Sequence, residues 1–172
     1  MNPIEKTRSL IQDIADLKKA NAATIKRRQE ANDERLRLET TGDLGLKGTL
    51  QRISELKALE DVLGQRVASA EVEIRDKKSE LAGFVNGELL TAVRLSLQET
   101  MGRVTAKTEQ ALKPFFVWPH FDDAVQSAEP VKKAKQLFNL CRSNLHGGDP
   151  EGFANKLIGD LDRAAELEKS LS

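Results

Sequence analysis

The residues best suited to metal chemistry are the two histidines, each of which has aspartates nearby. His120 stands beside Asp122 and Asp123, and His146 precedes Asp149 by three residues. Neither spacing matches a zinc site or a calcium-binding loop. We therefore expect these His–Asp pairs to cap helix ends, and we predict no metal site.

Cys141 is the only cysteine in the chain, which excludes an intramolecular disulfide and a cysteine-based zinc site. It lies on the predicted apolar face of a helix, beside Phe138, with no obvious base nearby in the sequence. We expect a buried, inert thiol rather than a nucleophile. Because no catalytic triad, carboxylate pair or cofactor fingerprint was found, we predict a non-enzymatic protein with no cofactor and no small-molecule substrate.

A glycine-rich segment at residues 41–48 invites comparison with a phosphate-binding loop. Such a loop follows a strand and ends in Gly-Lys-Ser/Thr, whereas here Lys47 precedes the last glycine and a helical pattern precedes the segment. The segment is therefore predicted to be a turn between two helices. Its Leu44 and Leu46 are expected to be exposed at the tip of this turn and are candidate contacts for a partner.

The most basic stretch of the chain is the candidate for nucleic-acid contact. Its basic residues are Lys26, Arg27, Arg28, Arg35 and Arg37. Acidic residues interleave with them, no aromatic residue accompanies them for base stacking, and the formal net charge of the chain is zero. A solvated helix face with local ion pairs is favoured, and a nucleic-acid-associated accessory protein is the alternative function.

Four of the seven aromatic residues fall between positions 114 and 121. Phe115, Phe116 and Trp118 of this group are candidates for a docking patch, since tryptophan and phenylalanine are frequent in binding hot spots. The other interpretation is a hydrophobic plug that closes the end of a helical bundle. The plug is favoured because a small bundle with few aromatic residues needs them in its core.

Helices must position all of these residues. Apolar residues recur at steps of three and four up to about residue 40, and again from about residue 49 towards Pro114. We predict an all-α fold: a long antiparallel coiled-coil hairpin (residues 1–87, tip 41–48) whose second helix continues into a small C-terminal three-helix bundle (88–172). Ser127 and Asp149 are the expected N-caps of the two C-terminal helices.

The predicted seam of the hairpin is uneven, firm near the bundle and polar towards the tip. Pairing the two helices from their common loop places Arg28 and Arg35 on either side of Glu60, which we expect to be their ion-pair partner. Past Gly83 and Gly87 the apolar stripe of the second helix moves to another face, which predicts a change of packing partner.

Apolar residues remain beside the seam of the hairpin. They are Ile11, Ile25, Leu36, Leu59 and Val62. Because a two-helix hairpin buries one stripe per helix, this surplus predicts another helical layer, although single surface residues of this kind are common. We predict a scaffold, adaptor or assembly factor that binds proteins, itself as a homodimer included; an accessory subunit of an enzyme is a third interpretation. The absence of a signal peptide and of a membrane-length apolar segment predicts a cytoplasmic protein.

Overall fold

In a computed structural model of the chain, residues 2–41, 47–115, 120–141 and 148–171 are described, and the regular structure within these ranges is helical. The helices are α1 (Pro3–Thr41), α2 (Lys47–Phe84), α3 (Leu90–Leu112), α4 (Phe121–Ser127), α5 (Glu129–Leu140) and α6 (Pro150–Lys169), with a π-helical turn (Val85–Leu89) between α2 and α3. The all-α prediction is confirmed, including the continuation of the second long helix towards the C-terminal part. No helix within the described ranges is long and apolar enough to cross a lipid bilayer.

Residues Leu10–Ser79 pack as one compact unit, which we call the arm. Its most buried side chains are Leu10, Ile14, Asn21, Ala31, Ile53, Leu56 and Leu63. Leu56 and Leu63, which the apolar period of α2 places in the seam, are buried in the half that was expected to be polar. The polar residues of that half are arginines of α1: Arg35 binds Glu60, and Arg28 lies over Gly64.

The rest of the chain, Met1–Ser9 and Glu80–Ser172, packs as a second unit, which we call the bundle. In the bundle α3 packs against both α5 and α6, and the short helix α4 packs against α3 and α5. The core includes Val104, Val125, Val131 and Ala134. The predicted three-helix bundle is therefore confirmed, with α4 as an addition. The predicted domain boundary at residue 87 stays a prediction.

Of the two predicted N-caps in the C-terminal part, one is confirmed and the other is wrong. Asp149 caps α6 as predicted, and its side chain accepts a hydrogen bond of 3.1 Å from the backbone N–H of Glu151. Ser127 is not the N-cap of α5: it ends α4, and the extended residue Ala128 takes the capping position without a side-chain hydrogen bond. The Ser127 prediction is wrong because a separate helical turn, α4, occupies the residues before it.

The change of apolar face past Gly83 coincides with the π-helical turn. A π turn holds more residues than an α turn, so the side chains that follow it are rotated relative to those before it. Val85 and Leu89 are buried in this turn, and α3 then buries Leu90, Val93 and further apolar residues along the bundle core. The sequence indicated the change of face, and the structure shows the turn that accommodates it.

Candidate protein-interaction surface on the arm

One side of the arm carries a groove of about 330 Å³ between α1 and α2. Its apolar floor consists of Ala31, Leu56, Leu59, Val62 and Leu63. Ala31, Leu56 and Leu63 belong to the seam and are at least 95% buried, whereas Leu59 and Val62 are 45% and 46% exposed. The floor therefore continues from the buried seam to an apolar edge that faces water.

Charged side chains form the rim of this groove. They are Arg27, Glu30, Glu34, Arg52 and Arg66. Arg52 donates two hydrogen bonds, of 2.8 and 3.0 Å, to one carboxylate oxygen of Glu34, and this contact raises the pKa of Arg52 above its ordinary value. Arg27 and Arg66 form no ion pair within the described part of the chain. At the end of the groove near residues 34 and 52 the charges of the rim are therefore paired, whereas the other end carries two arginines without an ion pair in the described chain.

Ile25 and Leu36 lie on the other side of the seam from this groove. Ile25 is 37% exposed and borders a depression whose other residues are polar: Arg28, Gln29, Asn32 and Glu60. Leu36 is 44% exposed and follows Ile25 by eleven residues, which is close to three helical turns and places both on one side of α1. Ile11, fourteen residues before Ile25, is half-buried. The five apolar residues predicted beside the seam are therefore divided between two sides of the arm.

An ion-pair network fixes Arg35 within the arm. Its Nε donates to Glu60 at 2.7 Å, one Nη donates to Glu39 at 2.8 Å, and the other donates to Asn32 at 2.8 Å. These hydrogen bonds, led by the one to Glu60, raise the pKa of Arg35, and the bond from Arg35 lowers the pKa of Glu39. The predicted Arg35–Glu60 ion pair is confirmed.

Arg28 does not join this network. Its guanidinium carbon lies 3.5 Å from the point where a Cβ on Gly64 would stand, so it packs across the arm on the glycine rather than on Glu60. Lys26 is highly exposed and lies 3.9 Å from Glu30, and Arg27 and Arg37 are also exposed. The five basic residues proposed for nucleic-acid contact therefore differ: Arg35 is held inside the arm, and the others lie at its surface.

Of the other predicted interaction residues, only Phe115 falls within the described part of the chain. Phe115 is 79% exposed, whereas its neighbour in the sequence Phe121 packs against the core cluster around Val104. Phe116 and Trp118 lie outside the described residues, and so do Leu44 and Leu46. The choice between a plug and a docking patch for residues 114–121 stays a prediction.

Cys141 is fully buried in the bundle, as expected. Its Sγ donates to Oδ2 of Asp160 at 3.6 Å, and Arg94 donates to its backbone carbonyl at 2.9 Å. Burial, reinforced by the nearby Asp160 carboxylate, raises the pKa of the Cys141 thiol to about 11. The arrangement stabilises a neutral thiol and opposes nucleophilic chemistry.

The histidines show no metal-binding geometry within the described residues. No group of three or more His, Cys, Asp and Glu side chains suited to an ion occurs there. His120 occupies the N-cap position of α4, at a helix end as expected, but its side chain makes no capping hydrogen bond. His146 lies outside the described residues.

Sequence inspection missed a second stripe on α2. Arg52, Glu55, Leu59, Val62, Arg66 and Ser69 follow one another at alternating steps of three and four residues, and they lie at the surface of the helix. We call these residues the second stripe. The spacing itself was the available signal, and it was hidden because the apolar seam of α2 runs beside it with the same period.

Comparison with known proteins gives no match to a family model, to a curated protein or to a solved structure. The function must therefore be argued from the surface of the arm itself.

Proposed function

We propose that this chain is a protein-binding protein of the scaffold, adaptor or assembly-factor type that acts through its arm, and that the arm binds a second copy of the chain. The observation that carries the proposal is the groove whose apolar floor ends in the exposed Leu59 and Val62. Apolar side chains that are contiguous with a buried seam and rimmed by charges are characteristic of helix-docking surfaces. A further helical layer on this side would cover them.

The exposed fractions of Leu59 and Val62 set the free energy that dimerisation gains by covering these two side chains. Full burial of a leucine or valine side chain contributes about 1.5–3 kcal/mol, so covering the exposed half of Leu59 or Val62 contributes about 1 kcal/mol each. In a two-fold dimer both residues count twice, which gives about 4 kcal/mol. This amount alone corresponds to weak association, so the remaining binding energy must come from the rest of the surface.

The test compares two charge insertions on the two sides of the arm. Leu59→Asp places a carboxylate in the groove of each copy, and we expect it to give monomers at concentrations where the natural chain is dimeric. Ile25→Asp is the matched control, because Ile25 has a similar exposure but lies on the side with polar neighbours. Sedimentation velocity of both variants, with circular dichroism to verify that each remains helical, separates the two sides.

A dimer that survives Leu59→Asp but is lost with Ile25→Asp would move the interface to the other side of the arm. A dimer that survives both changes would exclude both sides as the interface. Only loss of the dimer with Leu59→Asp and its retention with Ile25→Asp supports the groove.

A further inference from the structure

The second stripe has the spacing of a helix–helix seam. Its alternating steps of three and four keep its residues on one side of α2, and a helix partner packs along such a line. The α2 residues that are buried in the arm, Ile53, Leu56 and Leu63, are different ones. The second stripe therefore lies beside the arm's own seam, with its apolar centre, Leu59 and Val62, still in water.

The charges of the second stripe are complementary to those of the same stripe in an antiparallel second copy. Glu55 precedes Leu59 by four residues, and Arg66 follows Val62 by four residues. When a second copy runs antiparallel along the stripe, Leu59 meets Val62 and Glu55 meets Arg66. Because a two-fold axis makes each contact occur twice, the apolar centre is flanked by an ion pair at each end.

The outer residues of the second stripe do not oppose this pairing. Arg52 precedes Leu59 by seven residues, and Ser69 follows Val62 by seven, so Arg52 meets a serine in the second copy. Arg52 already binds Glu34 within its own arm. No two like charges of the second stripe meet in this alignment.

Helix α1 carries a similar pattern at the same level of the arm. Arg27 lies three residues before residue 30, and Glu34 lies three residues after residue 31. When the α1 helices of two copies run antiparallel about this point, Arg27 of one copy meets Glu34 of the other. The packing of Arg28 on Gly64 shows that the centres of the two patterns lie level, to within about one helical turn. A single two-fold axis therefore satisfies the charges of both helices.

The charged residues have room for these contacts. The side chain of Glu55 is 53% exposed; Arg52 lies 3.5 Å from one of its oxygens, and Gln51 donates a hydrogen bond of 3.1 Å to the other. Because each carboxylate oxygen can accept more than one hydrogen bond, the exposed side of Glu55 can still accept one from an arginine of a second copy. Arg66 has no ion pair within the described residues. Each end of the stripe thus presents a charge that the other end of a second copy neutralises.

We infer that the arm binds a second copy of this chain in antiparallel orientation, with Leu59 and Val62 at the centre and two Glu55–Arg66 ion pairs beside them. This inference rests on the proposed self-association and adds its orientation and register. The charge pattern favours a second copy over an unrelated helix, because the same residues supply both halves of every contact.

Charge reversal at the two ends of the stripe tests this register. In Glu55→Arg alone, the introduced arginine would meet Arg66 at both ends, and in Arg66→Glu alone, the introduced glutamate would meet Glu55 at both ends. We expect each single variant to dimerise at least about tenfold more weakly than the natural chain, because like charges replace an ion pair at both ends. An equimolar mixture of the two variants should associate as a heterodimer more tightly than either variant does with itself, because both of its end contacts are attractive: the introduced arginine meets the introduced glutamate at one end, and the natural Arg66 meets the natural Glu55 at the other.

The double variant E55R/R66E should recover the homodimer of the natural chain, since both end contacts are then attractive again. Asp61→Arg is the control: it makes the same change of charge at an exposed position of α2 outside the stripe, and it should leave the affinity unchanged. Sedimentation equilibrium at about 50 mM salt gives the dissociation constants, and the differences should shrink at higher ionic strength.

The outcomes distinguish the register from the proposed function. If the natural chain dimerises and both single variants keep its affinity, self-association stands and the antiparallel register is overturned. Weakened single variants whose combination in E55R/R66E fails to recover the homodimer would also overturn the pairing of Glu55 with Arg66. If the natural chain is monomeric, the proposed self-association itself is wrong.

Discussion

The thiol of Cys141 offers a quantitative test of the packing in the bundle. Its pKa is raised from an ordinary value of 9.0 to about 11 by burial and by the carboxylate of Asp160. At pH 8 a thiol of ordinary pKa is about 10% thiolate, whereas one with a pKa of about 11 is about 0.1% thiolate. Alkylation through the thiolate is therefore expected to be about 100-fold slower in the folded protein from ionisation alone.

The assay is modification by iodoacetamide at pH 8, followed by intact mass, in the native protein and in guanidinium chloride. Full burial of Cys141 excludes the reagent as well, so about 100-fold is the minimum slowing expected. Cys141→Ser is the control for modification elsewhere. Stoichiometric labelling of the native chain at the rate of the unfolded chain would refute the buried, neutral thiol. Because the folded pKa is the higher one, the stability that this thiol contributes is present below about pH 9 and falls as pH rises from about 9 to about 11.

Four further predictions concern the arm and the bundle. Ile14→Ala should lower the free energy of unfolding by about 2–5 kcal/mol because the side chain of Ile14 is fully buried, whereas the control Leu50→Ala, at an exposed position, should change it by less than about 0.5 kcal/mol. Asn21→Leu should raise the free energy of unfolding by about 1–3 kcal/mol, because Oδ1 of Asn21 is buried without a hydrogen-bond partner in the described chain. Urea titrations measure all three variants. The hydrogen bond from Arg103 lowers the pKa of Glu168, so this pair stabilises the bundle at pH values above the ordinary carboxyl pKa, and the stabilisation is lost as the pH falls. In Arg103→Gln the melting temperature should therefore fall less steeply with decreasing pH than in the natural chain. A labelled DNA duplex should show no gel shift at low salt, because Arg35 is bound within the arm, and a salt-dependent shift would favour the nucleic-acid alternative.

Much of the arm could be predicted from the sequence because its information is periodic. Steps of three and four indicate a helix and its buried face, and a short connection between two such helices makes them antiparallel. That pairing was sufficient to place Glu60 against Arg35, which the structure confirms at 2.7 Å. The cap of α6 was also predictable, since Asp149 followed by Pro150 satisfies local rules that need no tertiary contact.

The features that the sequence did not predict depend on more than one element. Periodicity places Ile25 and Leu59 beside the seam of their own helices, but it does not say on which side of the pair each one lies. That assignment needs the phase of both helices about a common seam, and it moves these two residues to different sides of the arm. Helix α4 and the extended Ala128 escaped prediction for a related reason: their residues carry no stripe of their own, and α4 is held by packing against α3 and α5.

The central claim is that the arm associates with a second copy of the chain, and sedimentation equilibrium of the natural chain over a wide concentration range measures this directly. The mass should rise with concentration from that of one 19.1 kDa chain towards twice that value, with no larger species, because a two-fold interface is closed. A mass that stays at 19.1 kDa up to about 100 μM, where an interaction of roughly 5.5 kcal/mol would be detected, would contradict it.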